Sequence, residues 1–199
     1  EQSPLSLGTE DIKKLLMRYA VPAIVAMTAA SLYNMMDSIF IGHGVGALGI
    51  AGLAVTFPFI NLAAAFGSLV GVGASTLVSV KMGQKDLKSA EAVLGNVLLL
   101  NTVIGFLFMT VCLIFLDPIL YFFGASADTL PYARDYMKVI LYGNLITHIY
   151  MGLNEVMRAS GYPQRAMMAT LFAVLINGVL NALFIFVLDM GIKGAAIAT

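Results

Sequence analysis

Asp37 is a carboxylate inside the apolar stretch 19–41, YAVPAIVAMTAASLYNMMDSIFI. An Asp at the centre of a membrane helix costs about 2.5–3.5 kcal/mol on insertion scales, so a chain that keeps one is expected to use it. Asn34, three residues earlier, shares a helix face with it. Farther along, Asn177 and Asn181 are spaced i, i+4, again on one face, and Thr199 opens a last apolar segment. Taken singly, a buried Asn or Thr bonds a neighbouring helix for about 0.6 kcal/mol. As a set, a carboxylate, amides and a hydroxyl are oxygen ligands for a hard cation such as Na+. They are equally a hydrogen-bonding shell that lets a carboxylate take and release a proton. The expected site is therefore Asp37, Asn34, Asn177, Asn181 and Thr199, with a proton or Na+ as the coupling ion and no cofactor.

The other polar residues carry less. His148, mid-segment in GNLITHIYMG, is expected to hydrogen-bond another helix, and His43 in GHGVGALG to sit in a surface turn. Glu155 and Arg158 are spaced i, i+3 and form a boundary pair. Asp189 lies near a segment end, where water reaches it. Cys112 reads as a small buried hydrophobe. Enzyme chemistry would need a second catalytic group at depth, and neither HExxH nor a pair of mid-membrane aspartates occurs. A channel would need a pore-loop segment, and none is visible.

These residues must be positioned by membrane helices. Hydrophobic residues make up 60% of the 199 and charged residues only 11%, far below the quarter usual in soluble domains. Acids and bases balance at 11 each, which argues against nucleic acid as a partner and for the lipid bilayer. Uncharged runs cover 19–36, 52–80, 92–116, 139–154 and 166–188, against the ~20 residues that cross a bilayer core. The predicted helices are 15–41, 50–80, 90–116, 133–158 and 165–189, with a sixth starting at 193, after a polar lead over 1–14. Eight of the 11 Lys and Arg fall at the N-terminus (Lys13, Lys14 and Arg18) and in alternate connections (81–88 and 158–165), so the N-terminus is expected on the cytoplasmic side. The segment 117–133 reads as an interfacial stretch. With no Trp, Tyr121, Tyr132, Tyr136 and Tyr162 are the expected interface anchors. Gly67, Gly71 and Ser75 form a small-residue stripe, suited to packing or to sliding. Pro22 and Pro58 each remove a helix hydrogen bond and are expected to kink their spans.

The segments LYNMMDSIFIG, VGVGASTLVSVKMGQKD, NEVMRASGYPQRA, LINGVLNALFIF and GIKGAAIAT, in that order, resemble the N-terminal half of a multidrug and toxic compound extrusion (MATE) transporter of the DinF-like branch. The resemblance runs from about Leu15 to Thr199. It implies an all-α polytopic protein: the N-terminal six-helix bundle of a twelve-helix pseudo-symmetric antiporter, ending as helix six begins. It implies export of organic cations against H+ or Na+ by rocking of two bundles, with the C-terminal bundle as partner and the cell membrane as location. Asp37, Asn177 and Thr199 match site residues of the family, and Pro22 its kink-forming proline. One departure stands out: the position four after Asn177 is commonly Asp in this branch and is Asn181 here. Two carboxylates can share a proton and titrate as a coupled pair, and one cannot; a sodium site would also lose a charge, which favours protons over sodium. A lipid-linked oligosaccharide flippase of the same superfamily is the alternative. It would need bases in its cavity, and 19–80, 89–133 and 166–192 contain none.

Overall fold

The computed structural model describes residues 11–199; the expected polar lead falls largely outside them. The helices are α1 Ile12–Gly44, α2 Ala47–Gly83, α3 Leu87–Ile114, α4 Leu116–Phe122, α5 Leu130–Ala159, α6 Pro163–Ala182 and α7 Gly191–Ala198. A π-helical turn, Leu183–Val187, prolongs α6. Each expected helix begins two or three residues earlier than the sequence suggests, while α3 and the α6 segment stop two residues short of their expected ends. α1 starts at Ile12 because Asp11 caps it, accepting the Lys13 N–H at 2.9 Å. Pro22 and Pro58 both lie within unbroken helices. The connection after α3 is not one interfacial run: the short α4 turns through Gly124, at φ 98°, toward α5.

α1, α2, α3 and 163–187 are each long and apolar enough to cross a membrane. α5 is as long, at 30 residues, but it buries Asn144, His148 and Asn154 along one side. That composition explains its place: lipid would leave those groups unbonded, so the side of α5 that carries them is covered by other helices. It runs parallel to α2, with Gly52 against Tyr132, Gly67 against His148 and Gly71 against Gly152. It runs antiparallel to α3, with Gly105 against His148 and Asn101 against Gly152. A Cβ on Gly71 would lie 2.8 Å from the Gly152 Cα, so the backbones meet where neither residue has a side chain. The stripe is thus a packing surface. It continues through Ala74 and Val78 rather than Ser75, whose hydroxyl donates to the Val72 carbonyl at 2.7 Å.

α1 packs parallel to α6, with Met36 against Gly178. An apolar cluster including Ile41, Leu53, Leu120, Met137, Ile185 and Ile192 fills the end of the bundle near α4. Apolar side chains such as Leu99, Val103 and Phe106 of α3 and Phe172, Leu175 and Val179 of α6 face outward, as contact with lipid tails requires. The ion pairs among the described residues sit at the two ends. Lys81–Asp86 at 3.7 Å and Arg158–Glu155 at 3.7 Å lie at the end where α1 begins. Arg134–Asp117 and Lys193–Asp135, the latter at 3.3 Å, lie at the opposite end. Asp86 caps α3, and its hydrogen bonds from Ser89 hold its carboxyl below the usual carboxylate range.

Candidate ion site at Asp37

α1 and α6 lie side by side, and their contact brings two deep polar faces together. Asp37 is only 5% exposed and Asn181 fully buried. Asn181 Nδ2 donates one hydrogen to Asp37 Oδ1 at 3.1 Å and the other to Asn177 Oδ1 at 3.0 Å. The i, i+4 spacing of the two asparagines makes the second bond possible within one helix. The other carboxylate oxygen, Oδ2, accepts from the Tyr136 hydroxyl of α5 at 3.3 Å. Three helices therefore converge on one carboxylate. Its charge is met by hydrogen-bond donors, because every ion pair named above lies at the bundle ends. Hydrogen bonds to an ionised acceptor contribute roughly 1.5–3 kcal/mol, which offsets part of the insertion penalty.

The expected residues divide. Asn177 and Asn181 join Asp37 directly. Thr199 bonds the Ala195 carbonyl at 3.0 Å and lies beside the Tyr33 and Tyr136 hydroxyls, linking α7 to the cluster through them. Asn34 is not brought in. It is exposed, and its Nδ2 donates to the Ala30 carbonyl at 3.0 Å. The reason is angular: residues at i−3 and i−4 flank Asp37 on opposite sides, and the packing turns the i−4 side inward. Tyr33 at i−4 is accordingly half-buried near the carboxylate. Pro22 is buried, fifteen residues before Asp37 in the same helix.

Tyr136 is the residue that sequence reading misassigned. In a chain without Trp it is an expected interface anchor, yet it is 2% exposed. The buried series Ala133, Tyr136, Met137, Leu141, Asn144 and His148 carried the signal. That i, i+3, i+4 spacing places the phenol on the inner stripe of α5. Tyr121 is exposed as an anchor should be, and the Arg165 guanidinium lies 4.7 Å over the Tyr162 ring. His148 also departs from expectation: its Nδ1 bonds the Asn144 carbonyl of its own helix at 2.9 Å, not another helix.

Among the described residues no group of three or more His, Cys, Asp or Glu could hold a metal ion. For sodium, oxygens would have to surround a common point. As arranged, Asn181 turns an N–H donor toward Asp37 while its Oδ1 has no hydrogen-bond partner. The cluster therefore fits a hydrogen-bonded carboxylate directly, and would fit sodium only after the Asn181 amide turned over.

A bundle of membrane-length apolar helices that buries a carboxylate held from several of them is a polytopic membrane domain, with that carboxylate as its candidate functional site. The family pattern MatE matches residues 22–183, and the chain belongs to that family. It is 30% identical over 188 residues to Multidrug export protein MepA of Staphylococcus haemolyticus, covering 94% of this chain and 42% of that protein. MepA of Staphylococcus aureus is 28% identical over 186 residues. The structure of the MATE multidrug transporter DinF-BH superposes with a TM-score of 0.91 at 35% identity, over 100% of this chain and 44% of that one. An outward-facing multidrug resistance MATE transporter of the MOP superfamily gives 0.92 at 29% identity, over 99% and 44%. The chain thus spans less than half the length of these relatives, and matches their N-terminal half.

Proposed function

We propose that this chain is the carboxylate-bearing half of a secondary antiporter that exports organic cations or other toxic compounds across the cell membrane in exchange for protons, with no enzymatic step. The supporting observation is Asp37, held at depth by Tyr136 and Asn181 with no base among the described residues paired to it. An anionic cavity attracts a cation. Protonation of Asp37 from outside removes that charge and favours outward release, and loss of the proton inward restores it. A second bundle supplied by the remaining length of the relatives would complete the cavity, and alternating access would come from the two rocking against each other. The N-terminus lies on the cytoplasmic side in this reading, following the distribution of basic residues. Arg134, Arg158 and Lys193 are paired with acids at the bundle ends, which disfavours a flippase for pyrophosphate lipids.

Efflux of a fluorescent organic cation from vesicles carrying the full-length protein, under an imposed pH gradient and then an imposed sodium gradient, tests the reading. The pH gradient should drive efflux and Asp37→Asn should reduce it to background. Efflux driven only by sodium would replace the proton with that ion, and full activity in Asp37→Asn would remove Asp37 from the mechanism.

A further inference from the structure

A second buried polar cluster lies between α2, α3 and α5 and takes no part in the site above. Asn101 is fully buried, His148 1% exposed and Asn144 4%. The imidazole is seated between two glycines. A Cβ on Gly67 of α2 would lie 3.3 Å from its Cγ, and one on Gly105 of α3 would lie 3.5 Å from the same atom. One turn farther along α5, the Asn101 amide occupies the side-chain space of Gly152, where any Cβ would overlap its Nδ2.

The hydrogen-bond accounting of this seam does not close within the protein. His148 Nδ1 faces the Asn144 carbonyl oxygen. A carbonyl only accepts, so Nδ1 carries the hydrogen. α2 and α3 face the ring with Gly67, Gly105 and Phe108, and Glu155 of α5, two turns along, is paired with Arg158. No counter-charge favours an imidazolium, and the neutral ring therefore presents a bare lone pair at Nε2. That atom, both polar atoms of the Asn101 amide and Nδ2 of Asn144 are buried without a hydrogen-bond partner. Buried polar groups in proteins are satisfied by protein or by ordered water, and an interior water takes about three such bonds.

We propose that Asn101 and His148 hold an internal water that links α3 to α5 within the membrane. The Asn101 amide offers a donor and an acceptor and the imidazole an acceptor, a mixture that water, with two hydrogens and two lone pairs, can meet. A metal cation would meet an N–H group there, and an apolar ligand would leave all three atoms unbonded.

Solid-state NMR of the full-length protein with 15N-labelled histidine in lipid bilayers tests this, the His148 signal being the one lost in His148→Gln. A neutral ring protonated at Nδ1 is expected, with polarisation passing from water protons to the ring and falling several-fold in Asn101→Leu. A ring protonated at Nε2, or no polarisation from water in the unsubstituted protein, overturns the site. So does a direct Asn101 Nδ2 to His148 Nε2 bond, or undiminished transfer in Asn101→Leu. The first three readouts need no variant beyond the assignment, so they decide the matter even if Asn101→Leu does not fold.

Discussion

The two buried polar clusters of this bundle are built on opposite plans. Around Asp37, the bonds from Tyr136 and Asn181 cross between helices and end on a group that can change charge. Around His148, the one protein hydrogen bond stays within α5, and the helices are brought close at Gly67, Gly105 and Gly152. The first cluster is joined by chemistry that a proton can reverse. The second is joined by close packing, which has no alternative state of similar energy. A substitution in the first should therefore alter transport more than stability, and one in the second should do the reverse.

The sharpest way to break that contrast is Asp37→Asn, expected to leave the protein in the membrane with nearly unchanged thermal unfolding while drug resistance in a sensitised host disappears. Retained resistance would undo it. On the other side, Gly152→Val should destabilise by about 1–3 kcal/mol through overpacking, seen as a lowered Tm and poor yield, with transport per folded molecule largely kept. Tyr136→Phe removes one bond to the carboxylate and should slow transport about tenfold, since 1.4 kcal/mol is a factor of ten and such bonds are worth roughly that or more. Asn181→Asp places a second carboxylate beside the first. The pair should titrate as a unit, moving the pH profile of efflux by on the order of one pH unit or adding sodium dependence; an unchanged profile counts against the single-carboxylate reading. Asn34→Ala should have the smallest effect, within about twofold in efflux, because its amide bonds only its own helix. A loss comparable to that of Tyr136→Phe would return Asn34 to the site.

Most of the helix order was legible because uncharged runs and alternating basic loops are long-range, redundant signals. The pairing of Asn181 with Asp37 was legible only as a shared chemistry; that the two touch depends on how α1 lies against α6, which no local pattern encodes. Asn34 and Tyr33 show the limit most plainly. Both flank the face of Asp37, and only the packing decides which one turns inward. Tyr136 was hidden by the need for interface anchors in a chain without Trp, although the spacing of buried residues along α5 held the answer. The seam at Gly152 was half-visible: small residues marked α2, but that they meet a glycine of α5 required the fold.

The Tyr136 hydroxyl and the Asn181 amide differ in one respect that concerns the direction of a hydrogen bond. Both now point hydrogens at the carboxylate. A neutral carboxyl needs one neighbour to receive a hydrogen instead. A phenol does so by rotating a single bond, whereas an amide N–H has no lone pair to offer. The proton thus belongs on Oδ2, facing α5, with the Oδ1 bond to α6 left intact. Under the proposed proton coupling, loading the site would reverse the sense of one link and preserve the other, so α5 would be the helix that registers whether Asp37 is charged.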